Sequence, residues 1–261
     1  MQDRPMCLLL LAIKSHPAYK LVIAANRDEY YDRPTAPASF WDDRSELLAG
    51  RDLRAGGTWF GITKRGRIAA VTNYRDPASL KSHAPSRGEL VSDFLAGEEE
   101  PEAYLTRLDL KAGDYNGFNL IVGTKDQIYW YSNRGNGTRC LVPGIYGVSN
   151  HLLDTSWPKV SRGRAALEEI LSEQRVPSPA AFFEMLLDRS IPGDDNLPDT
   201  GVGLEWERIL SSIFIASPNY GTRSSTILLI DQNDHVTFME RTHTSDPDHN
   251  KDVVFEFPVE N

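Results

Sequence analysis

The most constraining feature of this 261-residue chain is a short apolar run near its beginning. The run, Cys7-Leu8-Leu9-Leu10-Leu11-Ala12-Ile13, is continuous rather than alternating, which is typical of a strand with both faces buried. His16-Pro17 ends it, and a second apolar segment, 20–25, leads into Asn26-Arg27-Asp28-Glu29. A strand covered on both faces needs a packed layer on each side, so the pattern favours a layered fold.

The residue that opens this run could also be a nucleophile. Cys7 directly follows a second methionine, Met6. If translation starts at Met6, or the chain is trimmed there, Cys7 gains a free α-amino group. Its thiol (ordinary pKa ~8.5) and amine (~7.7–8.0) can then exchange a proton near neutral pH, as in an N-terminal-nucleophile (Ntn) hydrolase. The alternative is a small buried hydrophobe. A chain that keeps Met1, followed by the large Gln2, has no free amine on Cys7.

Charge and cysteine content exclude several classes of protein. The net charge of −9 argues against nucleic acid as the main partner, because phosphate binding needs a basic face. Two cysteines, Cys7 and Cys140, make neither a disulfide framework nor a structural zinc site, and they favour a reducing, cytoplasmic location. We expect no metal site, because the six histidines share no ligand spacing. We also expect no transmembrane segment, since no stretch approaches the ~18 apolar residues that a span requires.

Groups of strands and groups of helices alternate along the chain. This order predicts an α+β sandwich in one domain, 7–243, after an N-terminal extension, 1–6, that could reflect a misplaced start codon. The tail, 244–261, is polar with a possible edge strand at 253–257. The length of the loop at 188–204 suggests either a functional lid or local disorder. The other predictions are strands at 7–13, 20–25, 68–72, 118–123, 127–133, 145–149, 224–230 and 236–240, helices at 86–95, 101–108, 158–172 and 179–187, and a loop at 30–45.

Asn26-Arg27-Asp28-Glu29 resembles the signature of the NRDE family, also called the transport and Golgi organization protein 2 family. Family members typically begin Met-Cys, which Met6-Cys7 matches. The resemblance runs from Met6 to about Glu240. Several motifs occur in the family's order, so the probability that they agree by chance is very small. These motifs include Arg33-Pro34, Gly56-Gly57-Thr58-Trp59-Phe60-Gly61, Thr72-Asn73-Tyr74-Arg75, Tyr115-Asn116-Gly117-Phe118-Asn119, Gly147-Val148-Ser149-Asn150, Trp157-Pro158-Lys159 and Thr222-Arg223-Ser224-Ser225-Thr226.

The family in turn looks like a branch of the Ntn hydrolases, related to the bile-salt hydrolase and penicillin acylase group. The resemblance therefore implies a four-layer αββα sandwich with two mainly antiparallel sheets and with Cys7 at the start of a central strand. Cys7 matches the nucleophile. Arg27 and Asp28 match an arginine beside the thiol and an aspartate that holds the free amine.

The resemblance also implies roles for residues far along the chain. Asn73 matches an asparagine beside the active site, Asn150 matches the oxyanion-hole asparagine, and Arg223 matches a late arginine near the nucleophile. We expect these three to converge with Cys7, Arg27 and Asp28 around one cavity, with 188–204 as its lid. The side chains expected to bind substrate are Asn26, Trp59 and Tyr74.

Two functions remain open at this point. The first is a cysteine Ntn hydrolase that acts on a small amide, ester or acyl thioester, which requires Cys7 to be the first residue. The second is a non-catalytic carrier or trafficking protein that uses the same pocket for haem or acyl-CoA, which suits a retained extension. We expect no cofactor apart from haem as a carried ligand. The substrate and the oligomeric state do not follow from the sequence.

Overall fold

Two antiparallel sheets and five helices make up the part of the chain that the computed structural model describes, residues 6–173, 175–244 and 246–260. The strands are β1 (Met6–His16), β2 (Tyr19–Tyr30), β3 (Thr35–Trp41), β4 (Arg44–Asp52), β5 (Phe60–Thr63), β6 (Ile68–Asn73), β7 (Phe118–Gly123), β8 (Ile128–Ser132), β9 (Gly137–Leu141), β10 (Gly144–Val148), β11 (Tyr220–Asp231), β12 (His235–Thr242) and β13 (Lys251–Pro258). The helices are α1 (Arg87–Ala96), α2 (Pro101–Asp109), α3 (Pro158–Ser172), α4 (Pro179–Leu186) and α5 (Leu204–Leu210).

The two sheets pack face to face. One has six strands in the order β10-β1-β2-β11-β12-β13, and the other has seven in the order β3-β4-β5-β6-β7-β8-β9. One apolar cluster fills the space between the sheets, a second lies between the seven-stranded sheet and α1 and α2, and a third lies between the six-stranded sheet and α3 and α4. The predicted four-layer αββα sandwich is confirmed.

The apolar run at the start of the chain occupies an inner strand, β1, between β10 and β2. Successive side chains of a strand point to opposite faces. Leu9 and Leu11 therefore enter the cluster between the sheets, whereas Leu8 and Leu10 enter the cluster under the helices. Helix α3 packs closely on this outer face, and a Cβ added at Gly163 would lie 2.9 Å from Leu10 Cδ1.

The predicted loop at 30–45 is wrong, because most of it belongs to β3 and to the start of β4. Its prolines misled the prediction. A proline is tolerated in an edge strand, where its missing N–H interrupts no inner ladder. Pro37 lies in β3, which is an edge strand, and the β3–β4 register shifts between Ala36 and Ser39.

Smaller differences concern the ends of elements. Helix α1 begins directly after Ser86, whose side chain makes no capping hydrogen bond. Helix α5 follows the predicted 188–204 loop and was not foreseen. In the tail, β13 is longer than the predicted edge strand, and Phe255 and Phe257 pack against the cluster between the sheets. None of the helices within the described ranges is both long and apolar enough to cross a membrane.

Candidate active site

The Cys7 thiol lies beside a cavity of about 630 Å³ between the two sheets. Cys7 belongs to the same face of β1 as Leu9 and Leu11, the face that is turned towards the other sheet. The cavity wall includes Arg27, Trp59 and Asn73 together with the segment before and at the start of α1. That segment contributes Leu80, Lys81, Ser82, Ala84, Pro85, Ser86, Arg87 and Gly88.

Arg27 is the cation nearest to the thiol in the register of the sheet, because it is paired with Cys7 across β1 and β2. Its guanidinium is buried, stacks 4.1 Å from the centre of the Trp59 ring, and donates a hydrogen bond of 3.2 Å to Thr35 Oγ1. Burial lowers the pKa of Arg27 from its ordinary value, while the neighbouring carboxylate of Glu29 acts in the opposite direction. Arg27 is therefore a fixed positive charge in the wall of the cavity.

In the chain with its preceding residues attached, the thiol of Cys7 is a poor nucleophile. Burial, followed by the negative charge of Asp28, raises the pKa of Cys7 to about 12. Arg27 and a hydrogen bond from the Asp28 backbone N–H lower that pKa but do not outweigh burial. Arg27 thus acts in the direction expected from the sequence, yet the thiol stays protonated at neutral pH.

Asp28 lies on the opposite face of β2 from Arg27, towards the helices. Its Oδ1 accepts a 2.6 Å hydrogen bond from Thr222 Oγ1. Its Oδ2 is buried and has no protein hydrogen-bond partner within the described ranges, and neither has the buried Nζ of Lys159 on α3. The two groups attract each other electrostatically. Sequence analysis did not single out Lys159, although Trp157-Pro158-Lys159 is one of the family-like motifs.

Asn150 is completely buried next to the start of β1 rather than in the cavity wall. Its Nδ2 donates a 3.0 Å hydrogen bond to the backbone carbonyl of Asn73. The hydroxyl of Ser149 lies 2.9 Å from both Asn150 Oδ1 and the backbone carbonyl of Cys7. The side-chain amide expected to serve an oxyanion hole is therefore close to the nucleophile but engaged by the backbone.

Three further residues named from the sequence do not line the cavity, although Arg223 donates to the carbonyl of Arg33, which does. Arg223 Nη1 donates to the carbonyls of Tyr30 and Arg33. Asn26 Nδ2 donates to two backbone carbonyls beneath the helices, at distances of 2.8 and 2.9 Å. The ring of Tyr74 stacks 4.9 Å from that of His151.

The structure thus brings Cys7, Arg27, Trp59 and Asn73 together around one cavity. The residues that do not line it are Asp28, Asn150, Arg223, Asn26 and Tyr74. No residue of 188–204 is among the described residues of the cavity wall, so the segment beside the opening is 80–88 rather than the expected lid. Over the same described ranges, no group of three or more His, Cys, Asp or Glu side chains could hold a metal ion.

Comparisons with known proteins bear on the family and the fold of the chain. Residues 6–245 match the family model for Transport and Golgi organisation 2. The bovine Transport and Golgi organization protein 2 homolog is 39% identical, with 98% of this chain and 100% of the bovine protein covered. The human homolog is 38% identical, with 91% of this chain and 93% of the human protein covered. Among solved structures, a cysteine-to-alanine mutant of conjugated bile acid hydrolase from Clostridium perfringens superposes with a TM-score of 0.52 at 8% identity, covering 98% of this chain and 93% of that chain.

Proposed function

The chain belongs to the Transport and Golgi organisation 2 family and shares its fold with a bile acid hydrolase, and from this premise we propose that it is a cysteine Ntn hydrolase. Its active form begins at Cys7. Its substrates are small amides, esters or acyl thioesters that enter the cavity beside the thiol.

The observation that carries the proposal is the buried carboxylate oxygen Asp28 Oδ2, which has no protein hydrogen-bond partner within the described ranges. Asp28 adjoins Cys7, because its backbone N–H is hydrogen-bonded to the thiol. Leaving a buried acceptor unsatisfied costs about 1–3 kcal/mol, and more when the acceptor is charged. A free α-ammonium on Cys7 would supply the missing donor. The same cation would oppose the negative charge that now raises the pKa of the thiol.

The chemistry follows from one residue that carries both an amine and a thiol. The α-amine of Cys7 takes the proton of the thiol, and the thiolate forms a bond to the substrate carbonyl carbon. The resulting ammonium gives its proton to the leaving nitrogen, oxygen or sulfur as that bond breaks. Water then adds to the acyl-enzyme carbonyl, transfers a proton to the amine and releases the carboxylic acid and the thiol. The Asn150 amide is the side-chain donor for the oxyanion, once it turns from the carbonyl of Asn73.

The experiment compares the full chain with protein from a gene that starts at Met6. Removal of this methionine leaves Cys7 as the first residue. Mass spectrometry establishes the N-terminus of each form. In the form that begins at Cys7, we expect iodoacetamide at pH 7 to modify Cys7 much faster than the exposed Cys140. In the full chain, which lacks the free amine, the advantage of Cys7 should shrink.

The Cys7→Ser variant of the short form should keep its fold by circular dichroism and lose hydrolysis of acyl-amide and acyl-thioester substrates. Cys140→Ser is the matched control and should retain both the fold and the activity. Equal alkylation of Cys7 and Cys140 in the short form would rule out the Ntn nucleophile.

A carrier of acyl-CoA or haem is the second candidate, and the high pKa of Cys7 in the chain with its preceding residues favours it. A carrier would bind a non-hydrolysable acyl thioester equally well in the wild-type protein and in the Cys7→Ser variant, and it would not turn over the thioester itself. Haem would have to be held without histidine, since none of the described cavity-lining residues is one. The hydrolase suits a reducing compartment such as the cytoplasm, because it needs the thiol in its reduced form.

A further inference from the structure

Lys159 occupies a place where a lysine is unfavourable for three separate reasons. Its side chain is 1% exposed, and burial disfavours its charged form. Its Nζ has no protein hydrogen-bond partner among the residues that the structure describes. It is also the second residue of α3, at the end of the helix where the macrodipole is positive and a cation is disfavoured. A residue that costs stability in these ways points to a role in the chemistry of the site.

Four groups act on Lys159, and they belong to β1, β2, α5 and the segment after β6. Two of these four groups form an ion pair with each other. Arg75, which follows β6, and Glu207 on α5 form a buried ion pair, while Glu207 also accepts hydrogen bonds from the backbone N–H and hydroxyl of Thr200. The remaining groups are Asp28 on β2 and Cys7 on β1. Lys159 and Asp28 are therefore buried groups of opposite charge that attract each other electrostatically without a direct hydrogen bond between them.

Asp28 in turn interacts with both Lys159 and the nucleophile. The charged groups that act on it are Lys159, Arg27 and Glu29, and its Oδ1 accepts a hydrogen bond from the hydroxyl of Thr222. Burial raises the pKa of Asp28 and lowers that of Lys159, while their mutual attraction acts in the opposite direction on both. The pair is thus a buried carboxylate with a cation on its α3 side and an open acceptor for a second cation.

We propose that Lys159 is a positioning residue, whose buried ammonium shares Asp28 with the α-amino group of Cys7 and so lowers the pH at which the amine–thiol pair of Cys7 gives up its first proton. The proposal rests on the proposed function, since it needs Cys7 to be the first residue. Lys159 touches neither the substrate nor the reacting sulfur. It acts through Asp28, whose charge it partly neutralises.

The direction of the effect follows from charge alone. When Cys7 is the first residue and the pH is low, two cations, the α-ammonium and the Lys159 ammonium, act on the carboxylate of Asp28, while Arg27 and Glu29 are the same in every variant compared. A nearby cation favours loss of a proton from the amine–thiol pair, because the product carries one less positive charge. When Lys159 is replaced with a neutral residue, the α-ammonium no longer shares Asp28 with a second cation. The amine–thiol pair therefore keeps its first proton to a higher pH.

The test measures the rate of Cys7 alkylation against pH in the form that begins at Cys7, with Cys140 in the same molecule as reference thiol. We expect Lys159→Met to raise the midpoint by about one pH unit, which makes Cys7 about tenfold slower to react at pH 7. Lys159→Arg, which keeps the charge, should return the midpoint towards that of the wild type. Lys20→Met is the matched control, because Lys20 pairs with Asp234 at 2.6 Å far from the thiol, and it should leave the midpoint unchanged. A folded Lys159→Met protein with an unchanged midpoint would overturn the proposal.

A second measurement needs no variant that could fail to fold. The titration of Lys159 is followed by NMR of ¹³Cε-labelled lysine in the full chain and in the form that begins at Cys7. If the two ammonium groups share Asp28, Lys159 must titrate at a lower pH in the short form, and identical titrations in the two forms would contradict the proposal. The outcomes also separate the two hypotheses. Hydrolysis with no effect of Lys159 on Cys7 removes only this inference, whereas a clear effect of Lys159 without any hydrolysis removes only the proposed function.

Discussion

At the scale of single residues, the main feature of the site is a set of charged side chains whose burial costs free energy. Arg27, Asp28 and Glu29 are consecutive, and all three are at least nine-tenths buried. Arg27 faces the cavity and favours the thiolate, whereas the carboxylate of Asp28 faces the helices and favours the thiol. The reactivity of Cys7 is therefore a balance between two neighbours, which a free α-amine would shift towards the thiolate.

Removing the cation from the cavity wall should slow Cys7 directly. In the form that begins at Cys7, we expect Arg27→Met to reduce the rate of alkylation of Cys7 at pH 7 by about tenfold, because a nearby charge changes a pKa by about one unit or more. Arg27→Lys should lose less. Arg51→Met is the matched control, since Arg51 also stacks on a tryptophan, at 4.2 Å from the Trp41 ring, but far from the thiol. Equal rates in the Arg27→Met and wild-type proteins would show that Arg27 does not act on the thiol.

At the scale of elements, the cavity depends on how closely α1 approaches the sheet. The first turn of α1 crosses the chain just before β5 at a pair of glycines. A Cβ added at Gly57 would lie 2.5 Å from the carbonyl carbon of Gly88 and 2.6 Å from its oxygen. These are backbone atoms that cannot move aside as a side chain could. The start of α1, and with it the 80–88 segment of the cavity wall, can therefore lie this close to the sheet only because residue 57 has no side chain.

Gly57→Ala should consequently destabilise the protein by about 1–3 kcal/mol, the usual cost of forcing extra atoms into a packed site. Urea unfolding followed by circular dichroism measures this change. Gly113→Ala is the control, because a Cβ at Gly113 meets no atom within 4 Å, and its free energy of unfolding should change by less than about 0.5 kcal/mol. If the two variants are equally stable, α1 has moved without cost and the close approach is not important.

At the scale of the whole molecule, one buried ion pair connects the two halves of the sandwich. Arg75 follows β6 of the seven-stranded sheet, and Glu207 belongs to α5, which precedes β11 of the six-stranded sheet. The guanidinium of Arg75 also stacks 4.7 Å from the ring of Trp157, and its backbone N–H donates to the carbonyl of Asn150. The pair thus fixes the surroundings of Lys159 and Asn150 from both sides.

Breaking this pair at one end should be far more damaging than removing both charges. We expect Glu207→Ala to cost about 3–5 kcal/mol, because it takes the carboxylate away from a buried guanidinium. The double variant Arg75→Met with Glu207→Gln should be closer to the wild type than Glu207→Ala. Arg208→Ala, in the neighbouring exposed pair with Asp194, is the control and should cost no more than about 1 kcal/mol. A thermodynamic cycle of unfolding free energies, closed with the single variants Arg75→Met and Glu207→Gln, measures the coupling, and strict additivity would show that the pair does not connect the halves.

The sequence by itself determined the strand that carries the nucleophile and the class of fold. Seven consecutive residues from Cys7 to Ile13 required burial on both faces, and the order of the family-like motifs was enough to predict a four-layer sandwich. Of the nine site residues named from the sequence, Cys7, Arg27, Trp59 and Asn73 line one cavity in the structure and the other five do not. Local patterns succeed here because hydrophobic periodicity is a property of each segment, and it reports directly how many faces of that segment are covered.

Only the tertiary structure decided on which face of the sheet each polar side chain lies and what it contacts there. Asn26, Arg27 and Asp28 form one motif in the sequence, but the two-residue period of a strand places Arg27 between the sheets and its neighbours under the helices. Lys159 reaches Asp28 across more than a hundred residues of chain, and 80–88 rather than 188–204 borders the cavity. Such contacts depend on how the layers pack and on which charged groups are buried together. Neither can be predicted from a local segment of the sequence.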